Sequence, residues 1–256
     1  TPCVPLLVDV ADAARMRHVF ETWKPEVVLH AAAYKHVPLV EANPREGLVN
    51  NTVATRRLGE LAAEFGVKRF VMISTDKAVN PVSAMGVTKR LAEILLMDLQ
   101  RPTGTVFSAV RFGNVLGSSG SVVPLFREQI EKRGPVTVKH PEMRRYFMTI
   151  PEAVSLVLQA ATFAKGGEIF TLDMGESVRV LDLAERMIRE AGFRPYVDVP
   201  IVFTGIRPGE KLFEELDISE RSVFKTGHAR IFRCKTGDVD VAAVQAEIEA
   251  ALAENL

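Results

Sequence analysis

Apolar residues along the chain fall alternately into short continuous runs and into longer runs with helical spacing. The β-branched runs within 26–33 and 68–73 predict buried strands. The helical spacing within 12–23 and 84–99 predicts amphipathic helices that cover them. Because strands that alternate with helices form parallel sheets with helices on both faces, the pattern predicts an α/β fold with a Rossmann-like doubly wound parallel sheet.

A further helix and strand continue this alternation. Asn43 and Glu46 form a capping-box pattern with Pro44 in the first turn, which predicts a helix from there to Gly66. The apolar run 105–112 predicts another buried strand. These elements extend the predicted dinucleotide-binding half of the chain.

Beyond Gly134 the predicted elements become shorter and more mixed. We therefore divide the chain into a partial dinucleotide-binding domain, residues 1–134, and a smaller α/β substrate-binding lobe, residues 135–256, and leave open a crossing of the chain back between the two. The charged segment 207–216 is predicted as a turn that feeds a helix.

The candidate functional residues are most concentrated within 68–90. The predicted strand 68–73 stops at a polar cluster, Ser74 to Lys77, and a helical pattern that includes Met85 and Lys89 follows. Residues four apart share a helix face, so Met85 and Lys89 are expected to project together toward the strand end. In α/β sheets ligands bind beyond the carboxyl ends of strands, and the cluster is therefore our candidate site.

Composition narrows the choice of function. The 32 basic and 32 acidic residues leave the chain neutral, which gives no support for nucleic-acid binding or for an anionic membrane surface. Cys3 and Cys234 are too few for a disulfide framework or a zinc site, and we predict no metal. A reducing, cytoplasmic setting fits best, and no apolar run reaches the roughly 18 residues of a membrane span.

Several loops carry further candidate residues. Lys35 and His36 follow a predicted strand, although such loop residues are more often solvated than catalytic. The Gly/Ser-rich loop with Asn114 and Ser119 offers donors to a phosphate or sugar, and it is equally a common turn. Other candidates are the adjacent arginines Arg144 and Arg145, for which a surface salt-bridge cluster is the alternative, and Arg207 and Glu210.

The segments STDKAVNP and MGVTKRLAE resemble the extended short-chain dehydrogenase/reductase superfamily. In that superfamily a Ser or Thr at a strand end meets a Tyr and, four residues later, a Lys, and Met85 occupies the Tyr position here. The sequence of these two segments is similar to that of a narrower group, the nucleotide-sugar 4,6-dehydratases of bacterial polysaccharide biosynthesis, whose most familiar substrate is UDP-N-acetylglucosamine. The resemblance runs from about Asp9 to Leu216.

The resemblance implies a set of site residues, an NAD or NADP cofactor and a UDP-sugar substrate. Implied catalytic residues are Thr75, Asp76, Lys77, Met85 and Lys89. Implied cofactor-binding residues are Asp9, Val10, His30, Ala31, Ala32, Ala33, Lys35, Ser74 and Lys89. Implied substrate-binding residues are Lys35, His36, Asn114, Ser119, Arg144, Arg145, Arg207 and Glu210.

The reaction implied is loss of water from a hexose after transient oxidation at C4, which makes the C5 proton acidic. It needs a C4 hydroxyl base, a C5 base and a C6 hydroxyl acid. Lys77 suits the C5 base if Lys89 or burial lowers its pKa, and Asp76 suits the acid if desolvation raises its own. Met85 has no proton to lose, so either Thr75, Lys89 or a relayed water accepts the C4 proton, or the enzyme is slow or inactive.

No glycine precedes Gly47, whereas a dinucleotide fold needs an early glycine-rich turn against the pyrophosphate. With the resemblance, this indicates a fragment that lacks its first β-α-β unit, so the isolated chain is expected to bind dinucleotide poorly. Some members of the group carry an N-terminal membrane region, which is compatible with a cytoplasmic domain of an inner-membrane protein. A homo-oligomer is expected.

Two other classes of function stay open. Related epimerases share most of the scaffold and also oxidise a sugar hydroxyl transiently. A non-catalytic nucleotide-sugar binding module is the second alternative, because Met85 replaces the Tyr and the glycine-rich turn is missing. The cluster of Asp76, Lys77 and Lys89 at a strand end argues against a binding module, which has no need of it.

Overall fold

The computed structural model describes residues 3–216, 218–219 and 221–254. The strands are β1 (Val27–His30), β2 (Arg69–Ile73), β3 (Val106–Arg111), β4 (Asn114–Val115), β5 (Val136–Val138), β6 (Arg144–Arg145), β7 (Phe147–Met148), β8 (Glu168–Leu172), β9 (Val178–Arg179), β10 (Ile201–Phe203), β11 (Val223–Lys225) and β12 (Ile231–Cys234). The α-helices are α1 (Ala13–Trp23), α2 (Val37–Ala42), α3 (Pro44–Gly47), α4 (Ala54–Glu64), α5 (Ala84–Asp98), α6 (Val122–Glu131), α7 (Ile150–Phe163), α8 (Val180–Glu190) and α9 (Val241–Ala253). A π-helix (Leu48–Val53) joins α3 to α4, and a 3-10 turn (Asp76–Ala78) follows β2.

The main sheet has the strand order β1-β2-β3-β8-β12-β11. The first four strands are parallel, whereas β12 pairs antiparallel with β8 and β11 antiparallel with β12. Parallel strands end at one edge of a sheet. The segments that follow β1, β2, β3 and β8 therefore meet at the same edge.

Helices cover both faces of the sheet, as the sequence predicts. On one face α1, α4 and α5 pack on a core that includes Phe70, Met72 and Phe107. On the other face α7 packs on a core that includes Phe170 and Leu172. The alternation of buried side chains along each strand fills both cores, which is why the strands read as continuous apolar runs. The predicted Rossmann-like doubly wound α/β fold is confirmed.

A third core lies outside the main sheet. It joins α6 and α8 to the parallel pair of β5 and β10, and its members include Phe126, Val136 and Ile188. The chain then returns, because β8, β11 and β12 belong to the main sheet although they come after residue 134. The boundary between residues 134 and 135 stays a prediction.

Some local expectations were wrong. Asn43 does not form a capping box, because its side-chain amide donates instead to the carbonyl of Leu39 within α2. The first strand ends at His30 rather than at Ala33. In 207–216 the expected turn is present, because the backbone N–H of Glu210 donates to the carbonyl of Arg207, but the expected helix is absent over the described residues. The backbone carbonyls of Lys211 and Leu212 instead accept hydrogen bonds from Arg144 and Arg145. No described helix combines the length and apolar character of a membrane span.

Candidate active site

The end of β2 forms a short polar turn at the carboxyl edge of the sheet. The backbone N–H of Asp76 donates to the carbonyl of Phe112, at 3.1 Å, so the turn stays attached to the segment after β3. The hydroxyl oxygen of Thr75 caps the 3-10 turn by accepting from the backbone N–H of Lys77, at 3.3 Å. This cap and this anchor fix the side chains of Asp76 and Lys77 at the strand end.

Lys77 lies between two buried carboxylates. Its Nζ is 3.0 Å from Asp76 Oδ1 and 3.4 Å from Glu214 Oε1. The side chains of Asp76 and Glu214 are 0% and 3% exposed. Asp76 Oδ1 also accepts from the hydroxyl of Thr75, at 2.9 Å.

These contacts decide the protonation of Lys77. Desolvation lowers the pKa of the ammonium, but the charges of Asp76 and Glu214 outweigh that effect and the pKa is raised overall. Arg145 opposes the increase slightly. The expectation that Lys89 or burial lowers the pKa of Lys77 is therefore wrong for the chain by itself, and Lys77 carries its proton.

Lys89 and Met85 lie on the first two turns of α5, whose N-terminus is capped by the hydroxyl of Ser83. The Nζ of Lys89 donates to the carbonyl of Ile73, the last residue of β2, at 2.7 Å. Burial lowers the pKa of Lys89 to about 8, although Glu93 opposes the shift. Met85 is buried in an apolar cluster with residues of α2. Lys89, but not Met85, thus brings an ionisable group to the strand end.

Ser74 belongs to a buried ion-pair network. Its hydroxyl donates to Glu93 Oε1 at 2.6 Å, and the guanidinium of Arg111 donates to the same carboxylate through Nε and Nη2, at 2.7 and 2.5 Å. Sequence reasoning did not single out Glu93, although its position four residues after Lys89 places it on the same helix face. The network ties β2, β3 and α5 together beneath the site.

His30 closes β1 as a neutral, buried histidine. Its Nε2 is 2.8 Å from Thr55 Oγ1, and Thr55 donates its own proton to the carbonyl of Asn51. The hydroxyl of Thr55 can therefore only accept from His30, so the proton of the ring lies on Nε2. Desolvation, with a smaller contribution from Lys89, lowers the pKa of His30 to about 4.

The π-helix places Asn51 where it fixes the loop after β1. The amide oxygen of Asn51 accepts from the backbone N–H of Tyr34 at 2.7 Å, and its Nδ2 donates to the carbonyl of Tyr34 and to Thr88 Oγ1 at 2.9 and 3.0 Å. Asn50 and Asn51 are both buried. Ala31 and Ala32, by contrast, are exposed.

Two predicted substrate loops meet across this edge. The exposed ring of His36 lies so close to Gly120 that a Cβ there would come within 2.5 Å of Cε1. Lys35 is exposed beside it, and Ser119 is exposed on the opposite loop. Asn114 is half-buried, and its Nδ2 donates to the carbonyl of Tyr146 at 3.3 Å. The loop after β1 and the Gly/Ser-rich loop therefore face one another.

Arg144 and Arg145 are held by the protein itself. Arg144 donates to the side chain and carbonyl of Ser177, at 3.0 and 2.7 Å. Arg145 donates to the carbonyls of Leu212 and Lys211, at 3.1 and 2.8 Å. Both guanidinium groups thus position neighbouring loops.

The segment 207–216, which we term the strap, crosses the turn after β2. Lys211 Nζ donates to the carbonyl of Val79 at 3.1 Å, and Asn80 Nδ2 donates to Glu215 Oε2 at 3.0 Å. Glu210 forms an ion pair with Lys139, whereas the side chain of Arg207 is exposed. Sequence analysis selected Arg207 and Glu210 from the strap and missed Glu214, because no local pattern shows that Glu214 reaches Lys77.

Asp9 and Val10 lie at the turn that precedes α1. The carboxylate of Asp9 is exposed and accepts from the backbone N–H of Ala11 at 2.9 Å. Val10 packs on the edge of the core beneath α1 and α4.

The carboxyl edge of the sheet, after β1 and β2, fits a flat ring of a nicotinamide dinucleotide. The exposed alanines after β1 leave the backbone open to a flat ring, and buried Lys89 lies at the end of the neighbouring strand. Among the described residues no group of three His, Cys, Asp or Glu side chains is arranged to hold a metal ion.

Residues 1–236 match the sequence profile of a family described as polysaccharide biosynthesis protein. The capsular polysaccharide biosynthesis protein CapD of Staphylococcus aureus is 58% identical over 214 residues, which cover 83% of this chain and 36% of that protein. The UDP-N-acetylglucosamine 4,6-dehydratase (inverting) of Campylobacter jejuni is 36% identical over 86% of this chain and 64% of its own length. The chain thus spans about a third to two thirds of these curated relatives.

Similarity also extends to an epimerase and to a solved structure. A UDP-glucose 4-epimerase of Rickettsia bellii is 37% identical over 76% of this chain and 57% of its own length. The X-ray structure of Pen from Bacillus thuringiensis superposes with a TM-score of 0.81 at 32% identity, covering 96% of this chain and 81% of Pen. The fold and the strand-end cluster define an extended short-chain dehydrogenase/reductase type of α/β protein. Within that class, the chain belongs to the polysaccharide biosynthesis protein family.

Proposed function

We propose that the chain carries the catalytic cluster of a nucleotide-sugar 4,6-dehydratase. The substrate is a UDP-N-acetylhexosamine, UDP-N-acetylglucosamine first among them, and the product is a 4-keto-6-deoxy sugar nucleotide for polysaccharide biosynthesis. The observation that carries the proposal is the contact between Lys77 Nζ and Asp76 Oδ1, at 3.0 Å, at the end of β2. The similarity to the Campylobacter jejuni dehydratase supports the same reaction.

The contact between Lys77 and Asp76 can provide both proton transfers of the elimination. Lys77 holds the proton at rest, because its pKa is raised. Transfer of that proton to Asp76 leaves an amine that can take the C5 proton and a carboxylic acid that can protonate the departing C6 hydroxyl. One shared proton thus produces a base and an acid side by side.

The C4 hydroxyl needs a separate base, because the thioether of Met85 accepts no proton at neutral pH. Lys89 suits this role, since its pKa of about 8 leaves a fraction of the side chain as the free amine near neutral pH. Thr75 offers a relay, because its hydroxyl donates to Asp76 at 2.9 Å. Either route works without the Tyr of the superfamily.

The cofactor in this proposal is NAD or NADP, which when bound takes a hydride from C4 and returns it to C6. The chain would hold it through the edge after β1, the end of β2 and the turn before α1. The residues proposed for this are Asp9, Val10, His30, Ala31, Ala32, Ala33, Lys35, Ser74 and Lys89. For His30 and Ser74 the proposed role is indirect, because their polar hydrogen atoms are donated within the protein.

The UDP-sugar is proposed to bind between the two facing loops and the strap. The residues proposed for this are Lys35, His36, Asn114, Ser119, Arg144, Arg145, Arg207 and Glu210. Arg145 would act by shaping the strap, and Arg144 by positioning the loop that contains Ser177, because their donors hold protein carbonyls there. We further propose a cytoplasmic location and a homo-oligomer.

Epimerisation of a nucleotide sugar is the second candidate. It is favoured by the 37% identity to the Rickettsia bellii epimerase. The Asp76 and Lys77 pair favours dehydration instead, because epimerisation at C4 requires neither removal of the C5 proton nor protonation of a C6 hydroxyl.

The test is mass spectrometry of UDP-N-acetylglucosamine after incubation with NAD or NADP and the chain. The chain is used alone and joined to a glycine-rich β-α-β unit at its N-terminus. A product lighter by one water supports the dehydratase. An unchanged mass with an inverted C4 in the NMR spectrum would establish the epimerase, and an unchanged sugar in every mixture would contradict both enzymes.

A further inference from the structure

Glu214 reaches the strand-end cluster from the strap, far along the chain from Lys77. Its Oε1 lies 3.4 Å from Lys77 Nζ and 3.6 Å from the Nε of Arg145. The Lys77 ammonium is thus held from two sides, by Asp76 of its own turn and by Glu214 of the strap. No other described contact joins a carboxylate of the strap to the turn's ionisable groups.

The two carboxylates around Lys77 are incompletely bonded. Asp76 Oδ2 and Glu214 Oε2 are buried, and neither has a hydrogen-bond donor among the described residues. A buried acceptor without a donor is costly, and an ion pair this deep is weak evidence for a purely stabilising role. Such costs concentrate at functional sites.

We propose that Glu214 is a positioning residue that holds the protonated Lys77 side chain against Asp76. The proposal deepens the dehydratase function and rests on it for its catalytic consequence. Its structural part concerns this chain alone: without the Glu214 charge, Lys77 is held from one side only.

The charges that face Lys77 among the described residues are Asp76, Glu214 and Arg145. Asp76 and Glu214 favour the ammonium, whereas burial and Arg145 oppose it. Removal of Glu214 leaves Arg145 without its carboxylate partner at 3.6 Å, so the remaining balance shifts against the ammonium. Lys77 then gives up its proton at a lower pH.

Through the strap, the contact between Glu214 and Lys77 is connected to residues proposed to bind the substrate. Glu210 and Glu214 lie on the same ten-residue segment, and Glu210 is paired with Lys139 outside the main sheet. A ligand that engages the strap through Arg207 or Glu210 therefore acts on the element that fixes the Lys77 proton.

The first experiment measures Lys77 directly in the 256-residue chain and needs no activity. NMR of the lysine side chains, with Lys77 assigned by its loss in Lys77→Arg, follows its titration from about pH 8 to 12. We expect Glu214→Gln to lower the pKa of Lys77 by about one unit, a roughly tenfold change in the protonation equilibrium. An unchanged titration would overturn the proposal.

Glu215→Gln is the matched control. It removes the same charge from the neighbouring strap residue, which contacts Asn80 and Lys211 rather than Lys77. We expect it to leave the Lys77 titration unchanged. An equal shift in both variants would indicate a general loss of negative charge or a displaced strap, and would also count against the proposal. If Glu214→Gln does not fold, Glu214→Asp keeps the charge at a shorter reach and is expected to lower the Lys77 pKa partially.

A second measurement separates this inference from the proposed function. In the protein that carries a glycine-rich β-α-β unit, the pH profile of kcat for water loss is compared between wild type and Glu214→Gln. If the basic limb of the kcat profile moves to lower pH in Glu214→Gln, by the same interval as the NMR titration of Lys77, both the dehydratase function and the positioning role of Glu214 are supported. A shifted titration with no dehydration by wild type retains the role of Glu214 and refutes the dehydratase. Dehydration with an unshifted pH profile refutes the positioning role of Glu214 and leaves the dehydratase function standing.

Discussion

The carboxylate of Glu41 accepts a hydrogen bond from the backbone N–H of Ala84, at 2.5 Å, in the first turn of α5. The same carboxylate abuts Gly209 of the strap, where an added Cβ would lie 2.6 Å from Oε1. One acidic side chain thus contacts both the helix that carries Lys89 and the strap that carries Glu214.

Glu41→Gln is expected to destabilise the fold modestly. A carboxylate at a helix N-terminus is favoured by the helix dipole and by the free N–H groups there, and an amide retains only part of this interaction. We expect a loss of about 1 kcal/mol in the free energy of unfolding, measured by urea denaturation. Glu247→Gln, which changes an exposed glutamate in the middle of α9, is the control and is expected to have a smaller effect. Equal losses in both variants would contradict the role of Glu41.

Gly113→Ala is expected to disturb Asp76. A Cβ at position 113 would lie 3.0 Å from Asp76 Oδ2 and 3.2 Å from the Cβ of Tyr146, so both neighbours would have to move by a few tenths of an ångström. We expect a stability loss of about 1–3 kcal/mol in thermal unfolding, together with at least a tenfold loss of any dehydratase activity. Gly237→Ala, with no heavy atom within 4 Å, is the control. Full activity in Gly113→Ala would show that Asp76 tolerates displacement.

Lys89 is expected to make the protein more stable as the pH rises above neutrality. Its pKa is lowered from 10.5 to about 8, so between these values the unfolded chain binds a proton that the folded chain does not. Stability therefore increases from about pH 8 to 10.5, by on the order of 3 kcal/mol from this residue. Lys89→Met removes this dependence, whereas Lys165→Met at an exposed position retains it. Parallel stability curves for wild type and Lys89→Met would contradict the low pKa.

His30 is expected to make the stability of the protein depend on pH in the acidic range. Its pKa is lowered from 6.5 to about 4, so the unfolded chain binds the extra proton between these values. The contribution of His30 is complete above pH 6.5 and is lost as the pH falls toward 4, by on the order of 3 kcal/mol. His30→Gln is expected to flatten the acid limb of a denaturation series, whereas His18→Gln on the surface leaves it intact. The ring carbon shifts of His30 in NMR give an independent titration.

The stretch from 68 to 90 was predictable from the sequence because its structure is local. A β-branched run ends in polar residues, Ser83 caps the next helix, and the four-residue spacing carries Lys89 to the strand end. Each of these depends on residues that are near one another in the chain. The alternation of strands with helices also predicts a parallel sheet, but it does not predict that β8 pairs with β3.

Glu214 and the last two strands could not be predicted in this way. The strap is rich in Glu, Lys and Leu, which favour helices, but its conformation is set by Arg145 and Lys77, more than sixty residues away in sequence. The strands β11 and β12 are short and bear charged residues, such as Arg233, which removes the apolar run that marked the other strands. Tertiary contacts decided both structures.

The π-helix between Leu48 and Val53 also fixes which changes in length the chain tolerates. A π-turn accommodates one residue more than an α-turn over the same stretch. Because the π-turn already absorbs one extra residue, deletion of a single residue there would restore regular α-geometry and leave α4 and the helix before the turn in place. Within the turn, however, the side chains would change face, and the contact of Asn51 with Tyr34 would be lost. The extra residue of the π-turn therefore serves the loop after β1 rather than the continuity of the helix.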